Sequence, residues 1–372
     1  MIEILRDTNR TDAAKFGKFG SGGINRTTQI EEICIQADIK LITLSNETNK
    51  LKFSKLAYYL EGLRLFFFSS FKLVFKKELI SKTGLASLRL KETLLKTPNK
   101  IIIIEEPVNS LTYYWAKKLG FKIISLPHNF ETLMSPNYDK DYFTKEPWPH
   151  TLVNEIKNLK KSDIIFCISR EEQWFLNANF IPAQYLAYYP PKQKENYWLK
   201  IREKRQDYTA PKTDFLIISS KGHYATKNGT LQQINWIKNI ELPKNCFVHI
   251  VGYNTDYLSD FTDNNYHIKI HGTVSPEKLE ELTISCKALL IHQNTGVGAL
   301  TKIPEILIAG MPIIANFHAA RSFLDCKGVH PYDDFHKFEE LLKQELEEPY
   351  YFVNHDSNQL FTSYIKEHSG SC

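Results

Sequence analysis

The chain has no apolar run approaching the ~20 residues that a bilayer-spanning helix requires. No apolar stretch stands behind the charges of its first ten residues, MIEILRDTNR, so no secretory leader is visible. Its six cysteines form no Cys-x-x-Cys and no His-paired metal spacing. In a chain this long they read as reduced thiols of a cytoplasmic protein. A formal charge of +5 over 372 residues is too weak for a nucleic-acid binder. A strand–GxGxxG–helix fingerprint followed by an acid is also missing, which argues against a dinucleotide-dependent oxidoreductase. There is no internal repeat and no low-complexity segment.

What is present is globular: 42% hydrophobic and 24% charged residues in a length that favours two domains. Short β-branched runs alternate with helix-like stretches, the pattern of parallel sheets covered by helices. Strands are expected at Ile2–Leu5, Lys40–Leu44, Ile101–Ile104, Lys122–Leu126 and Asp163–Ile168, the last ending at Ser169. A loop with Gly17, Gly20, Gly22 and Gly23 leads to a helix expected from about Thr28 to Ala37, and another helix is expected near Leu111–Leu119. The alternation restarts with strands at Phe215–Ser219, Phe247–Val251, His267–Ile270, Ala288–His292 and Pro312–Ala315. Helices are expected between them at Thr230–Ile237, Pro276–Ser285 and Ile303–Ala309. The expected fold is α/β: two doubly wound, Rossmann-like domains facing each other across a cleft. The first covers residues 1–190 and is completed by a C-terminal helix within 350–372. A charged connection, partly helical, spans 191–213, and the second domain covers 214–349. Open sheets of this kind bind ligands at the carboxyl ends of their strands, so a nucleotide-like ligand is expected there.

The most informative local pattern is a strand running through Gly296-Val297-Gly298 into a helix that carries Thr301, Lys302 and Glu305. Glycines let backbone amides approach a diphosphate. Thr301 adds a hydroxyl, Lys302 a positive charge, and Glu305 a carboxylate placed to accept ribose hydroxyls. The alternative is a plain tight turn, with Lys302 and Glu305 on a solvated face.

The segment GVGALTKIPEILIAGMPIIAN resembles the donor-binding segment of GT-B glycosyltransferases of family 4. Other segments agree in order: GSGGINRTTQIEEI with that family's first-strand loop, ISLPHNFETL with its His-Asn-x-Glu segment, and SDIIFCISREEQWFL with its strand-then-Ser element. VGYNTDYL and IHGTVSPEKLEEL are similar to its second-domain strand–Gly turns. The resemblance implies a retaining transfer from a nucleotide diphosphate sugar, a UDP- or GDP-sugar, to a saccharide or lipid-linked saccharide in cell-surface polysaccharide assembly. It implies no bound cofactor and no divalent metal, since no Asp-x-Asp stands where a metal-dependent transferase holds its diphosphate. Glu305 matches the second glutamate of the family's Glu-x7-Glu pattern, and Val297 replaces the first, which puts the sugar-side contacts and the stereochemical outcome in question.

The resemblance also asks for cations beside the departing diphosphate. Lys221 and Lys227 are the candidates, with Asn228 beside them; the alternative is ordinary loop charge. His128 follows a strand and would contact the transferred sugar or the acceptor. Glu131 would orient His128 or act on the acceptor, and Asn129 would bond sugar hydroxyls. Gly22, Gly23 and Arg26 lie where a loop would cover phosphate or receive acceptor. The alternative is backbone geometry alone for the glycines, and a nearby acid for Arg26.

Charge is concentrated in residues 51–100, with eleven Lys/Arg against three acids. Within it, the run 63–77 (LRLFFFSSFKLVFKK) as one helix would set Phe67, Phe71, Val74 and Phe75 on one side, with Lys72, Lys76 and Lys77 elsewhere. Such a face suits peripheral contact with anionic lipid at the inner side of the membrane; packing against the first sheet is the alternative. Two other functions keep the same architecture: a nucleotide-sugar epimerase, and a non-catalytic subunit binding sugar nucleotides or glycans.

Overall fold

The computed structural model describes residues 1–8, 22–44, 53–69, 77–133, 151–222, 224–350 and 355–369. The chain forms two compact units, Met1–Ala187 together with Asn354–Cys372, and Tyr188–Val353.

In the first unit the elements run β1 (Ile2–Asp7), α1 (Gly22–Gln36), β2 (Ile39–Thr43), α2 (Lys55–Phe68), α3 (Lys77–Lys96), β3 (Ile101–Ile104), α4 (Ser110–Lys118), β4 (Lys122–Ser125), α5 (Leu152–Leu159), β5 (Ile164–Cys167), α6 (Arg170–Ala178) and β6 (Gln184–Tyr185). All six strands are parallel, in the order β2-β1-β3-β4-β5-β6. Each residue of β3 is an isoleucine and each is buried, as expected for a central strand covered on both faces.

The second unit contains α7 (Lys192–Asp207), β7 (Phe215–Ser220), α8 (Tyr224–Ile237), β8 (Val248–Tyr253), β9 (Ile268–Gly272), α9 (Pro276–Ser285), β10 (Ala288–Ile291), α10 (Lys302–Ile308), β11 (Ile313–Asn316), α11 (Phe317–Ala320), β12 (Val329–Tyr332) and α12 (Phe335–Lys343). Its sheet is also parallel, ordered β12-β11-β10-β7-β8-β9. The last helix, α13 (Asp356–Ser369), returns to the first unit, where Phe361 meets Phe166 edge-on at 5.4 Å between ring centres.

Three expectations are corrected. Helix α1 begins at Gly22, so Gly22 and Gly23 are first-turn helical residues and not part of a loop. Glycine is a weak helix former, but the burial of Ile24 and Ile30 and the bonds of Arg26 carry the helix back to them. Gly17 and Gly20 lie outside the described residues. Within the partly helical connection expected at 191–213, α7 is grouped with the second unit and buries Trp198, Ile201 and Arg205. That narrow stripe was hidden by the surrounding charges. Helix α8 begins at Tyr224, six residues earlier than expected, so Lys227 and Asn228 are helical. Finally, 63–77 is not one helix. Helix α2 stops at Phe68, where Ser69 turns extended with its N–H on Leu65 O, and α3 starts at Lys77. Phe71, Lys72, Val74, Phe75 and Lys76 lie outside the described residues.

Candidate functional site

In the second sheet the strand order reverses between β7 and β10, and the chain segments leaving their carboxyl ends meet there. The loop after β10 carries Gly296 with φ +99° and Gly298 with φ +75°, both in the left-handed region that a Cβ disfavours. A Cβ added at Gly296 would lie 3.4 Å from that of Ala225, so the loop rests on the first turn of α8. Gln293 Nε2 adds a bond to Thr226 Oγ1 in the same turn at 3.3 Å. Deeper in, Gly229 brings α8 against the end of β10: a Cβ there would sit 1.6 Å from His292 O.

Lys221, just after β7, and Lys227, in α8, lie near one aromatic ring. Their ammonium groups lie 5.1 and 5.5 Å from the ring centre of Tyr257. Neither pairs with a carboxylate among the described residues, so the two charges remain available to an anion. Asn228 is exposed beside them.

Lys302 and Glu305 are not on a solvated face. Lys302 donates to Ile218 O at 3.1 Å, and burial pushes its pKa down to about 8, with Glu305 partly opposing. Glu305 is buried and accepts from the Tyr188 hydroxyl and from Lys194 Nζ, each at 2.8 Å. Thr301 stands at the head of α10 without capping it.

Three residues here escaped the sequence reading. Asn316, at the end of β11, and His318 and Arg321 just beyond it bond the loop after β10 at Gln293, Gly296 and Gly298. Only a polar cluster directly behind a buried strand could have marked them.

In the first unit the order reverses between β1 and β3, and a second cluster forms at those carboxyl ends. His128 is buried, with Nε2 3.1 Å from Glu105 Oε2. Glu105 also takes Arg6 Nε at 2.7 Å, the Thr8 hydroxyl at 2.8 Å and that of Thr27 at 2.9 Å. Burial alone would raise the Glu105 pKa, but Arg6, His128 and Thr8 overrule it and hold the carboxyl well below the usual range. The sequence reading did not nominate Glu105 as a partner of His128. Glu131 gives its backbone N–H to Glu155 at 2.9 Å. Asn129 is half-buried between them in sequence. Arg26 is buried in α1 and bonds Gln29 at 2.6 Å and Ala187 O at 3.2 Å. The visible trace of Glu105 in the sequence was an acidic pair ending an all-isoleucine strand. Asp7 and Glu155, whose pKa values burial raises to about 6 and about 7, left no such trace.

Among the described residues no group of three or more His, Cys, Asp or Glu is placed to hold a metal ion, and no helix is long and apolar enough to cross a membrane.

No protein-family model matches the chain, and no curated protein sequence does. Solved structures do. Sucrose-phosphate synthase from Thermosynechococcus elongatus superposes with a TM-score of 0.60 at 12% identity, covering 99% of this chain and 98% of that one. HepE of Anabaena in complex with UDP gives 0.54 at 11% identity, over 92% and 89%. The N-terminal domain of Candida albicans trehalose-6-phosphate phosphatase gives 0.53 at 13% identity, over 100% and 93%. At such identities the likeness is one of fold: the chain has the GT-B fold class, with two doubly wound, Rossmann-like α/β units, each with a parallel six-stranded sheet.

Proposed function

We propose that this protein is a glycosyltransferase that moves a sugar from a UDP- or GDP-sugar to a saccharide or lipid-linked saccharide in cell-surface glycan assembly. The observation that carries this reading is the meeting, at the reversal point of the second sheet, of a left-handed glycine loop, the Lys221–Lys227 pair and Glu305. Loop amides and the two lysines suit a diphosphate. The lysines neutralise the charge that develops on it as the sugar leaves, so no divalent ion is required. Glu305, fixed by Tyr188 and Lys194, accepts the ribose hydroxyls. His128, fixed by Glu105, serves the transferred sugar and the acceptor, with Asn129 and Glu131 nearby in the chain and Gly22 and Gly23 at the head of α1. HepE, which shares the fold, was solved with UDP, and this supports the choice of donor. By the family resemblance the transfer is retaining, an outcome that Val297 in place of the first glutamate leaves to product analysis.

Peripheral contact with anionic lipid at the cytoplasmic face of the membrane fits the same role. Leu56, Leu60 and Phe67 recur along one exposed side of α2, with Lys55 beside them and Lys77 and Lys82 exposed on α3. Vesicle pelleting with and without anionic lipid tests this contact, and binding that ignores both lipid charge and salt counts against it.

Thermal-shift screening over UDP- and GDP-sugars, followed by donor hydrolysis, tests the main reading; no stabilisation by any of them removes it. Val297, in place of a glutamate, favours one second reading, a subunit that binds sugar nucleotides without turning them over. Donor binding with neither hydrolysis nor transfer would select it.

A further inference from the structure

Three side chains, from the last residue of β11 and the segment that follows it, hold the loop after β10 at successive points. Asn316 Nδ2 donates to Gln293 O at 2.7 Å while its Oδ1 accepts the Gln293 amide at 2.9 Å. His318 Nε2 lies 3.1 Å from Gly296 O; a carbonyl only accepts, so that nitrogen carries the proton. Arg321, itself buried, donates Nε–H to Gly298 O at 2.6 Å. Its NH1 bonds His318 O, which joins the two outer clamps into one unit. The planar guanidinium holds these donors in a fixed fork, which sets the spacing of the two carbonyls it binds.

A trans peptide sets each carbonyl and the following N–H in opposite directions, and no peptide bond among the described residues is cis. With the Gly296 and Gly298 carbonyls drawn toward His318 and Arg321, the amides of Val297 and Ala299 face the other way, on one common side of the loop. Neither amide finds an acceptor among the described residues. The left-handed φ values at Gly296 and Gly298 are what permit alternate peptide planes to align so. Lys221 and Lys227, free of carboxylates among the described residues, stand at the same reversal point of the sheet.

We propose, on the reading that the second unit binds a nucleotide diphosphate, that Arg321 with His318 is a positioning residue of the phosphate cradle. By holding two loop carbonyls back it presents the amides of Val297 and Ala299 to the diphosphate oxygens. Arg321 acts through the loop; the loop touches the ligand.

The test uses the full chain and three probes, inorganic pyrophosphate, UDP and GDP, with uridine and guanosine as controls that lack phosphate. In wild type, pyrophosphate is expected to shift the Val297 and Ala299 amide resonances. Arg321→Gln is expected to weaken pyrophosphate and nucleotide binding by roughly 10- to 100-fold, the effect of a small misplacement of binding groups, while nucleoside binding stays within twofold. His318→Ala, at an exposed residue, keeps the fold and is expected to weaken pyrophosphate by about tenfold, which holds the test open if Arg321→Gln does not fold. Arg321→Lys restores one of the two bonds and recovers part of the affinity. Unshifted Val297 and Ala299 amides, or pyrophosphate affinity within twofold of wild type in both variants, would overturn the proposal. The two readings separate cleanly. Pyrophosphate binding that depends on Arg321, without transfer from any UDP- or GDP-sugar, leaves the cradle and removes the transferase. Donor turnover indifferent to Arg321→Gln does the reverse.

Discussion

Glu105 accepts the Nε2–H of His128 at 3.1 Å on the same oxygen that takes the hydroxyls of Thr8 and Thr27. Its other oxygen is bound by Arg6. Because Arg6 keeps the carboxyl ionised against the pull of burial, it can only accept, so His128 carries its proton on Nε2. The tautomer of the ring is thus set from the end of β3.

Removing this carboxylate leaves the buried Arg6 with the half-exposed Glu31, 2.7 Å from its Nη1, in place of a fully buried partner. Glu105→Ala is expected to lower stability by about 3–5 kcal/mol at pH 7, measured by urea unfolding. The sign of the pH dependence follows from a depressed folded pKa. The stabilisation is fully present above the unfolded carboxyl value of about 4.3 and is lost as pH falls toward the folded one. The gap between wild type and variant should therefore narrow at pH 3. A gap that stays constant from pH 7 to pH 3 contradicts the assignment.

Asp7 behaves in the opposite sense. Burial, with Glu106 and Glu105 adding and Thr112 and Asn109 opposing, raises it to about 6, so the folded state holds the proton more tightly than the unfolded chain. Stability from this group is complete below about pH 4 and lost as pH rises through about 6. Asp7→Asn keeps an acceptor for Asn109, whose amide now bonds Asp7 at 2.7 Å. It should melt like wild type at pH 4 and be about 1–3 kcal/mol more stable at pH 8. Melting curves at pH 4, 6 and 8 decide this; parallel curves for the two proteins refute it.

Lys302 couples the donor site to pH. Its pKa of about 8 reflects burial against the Ile218 carbonyl, with Glu305 opposing. A diphosphate bound nearby favours the charged form, so binding takes up a proton above pH 8. UDP or GDP affinity should be flat below about pH 8 and decline above it by up to about tenfold per pH unit. Lys302→Met should weaken binding at pH 7 and remove that decline. Calorimetry from pH 6 to 9 checks both, and a decline that survives in the variant would assign the titration elsewhere.

Gly229→Ala separates local propensity from packing. Alanine favours an isolated helix over glycine by about 1 kcal/mol, yet here its Cβ would meet His292 O at 1.6 Å. We expect a loss of about 2 kcal/mol or more, with weaker nucleotide binding because Ala225, Thr226 and Lys227 move with the helix. Gly222→Ala is the control, with only Ser220 Oγ near, at 3.9 Å. Equal stability of the two variants by chemical denaturation would rule out the close approach.

Local pattern alone determined the alternation of strands and helices, the division into two doubly wound units, and the glycine turn with Lys302 and Glu305 behind it. Each depends on side-chain periodicity or on φ values that near neighbours impose. Partners far apart in the chain were decided only by the tertiary structure. Arg6 meets Glu105 across 99 positions and Glu105 meets His128 across 23, so no spacing rule nominates Glu105 over Glu131. The same holds for Tyr188 on Glu305, 117 positions away, and for the hold of Asn316, His318 and Arg321 on the loop after β10. Helix α7 was read as a connection because its charges outnumber a three-residue buried stripe whose value appears only once α9 and α10 are there to cover it. Charge burial is a property of the assembled sheet edge, which is why Asp7 and Lys302 titrate near neutrality although their local sequence is unremarkable in kind.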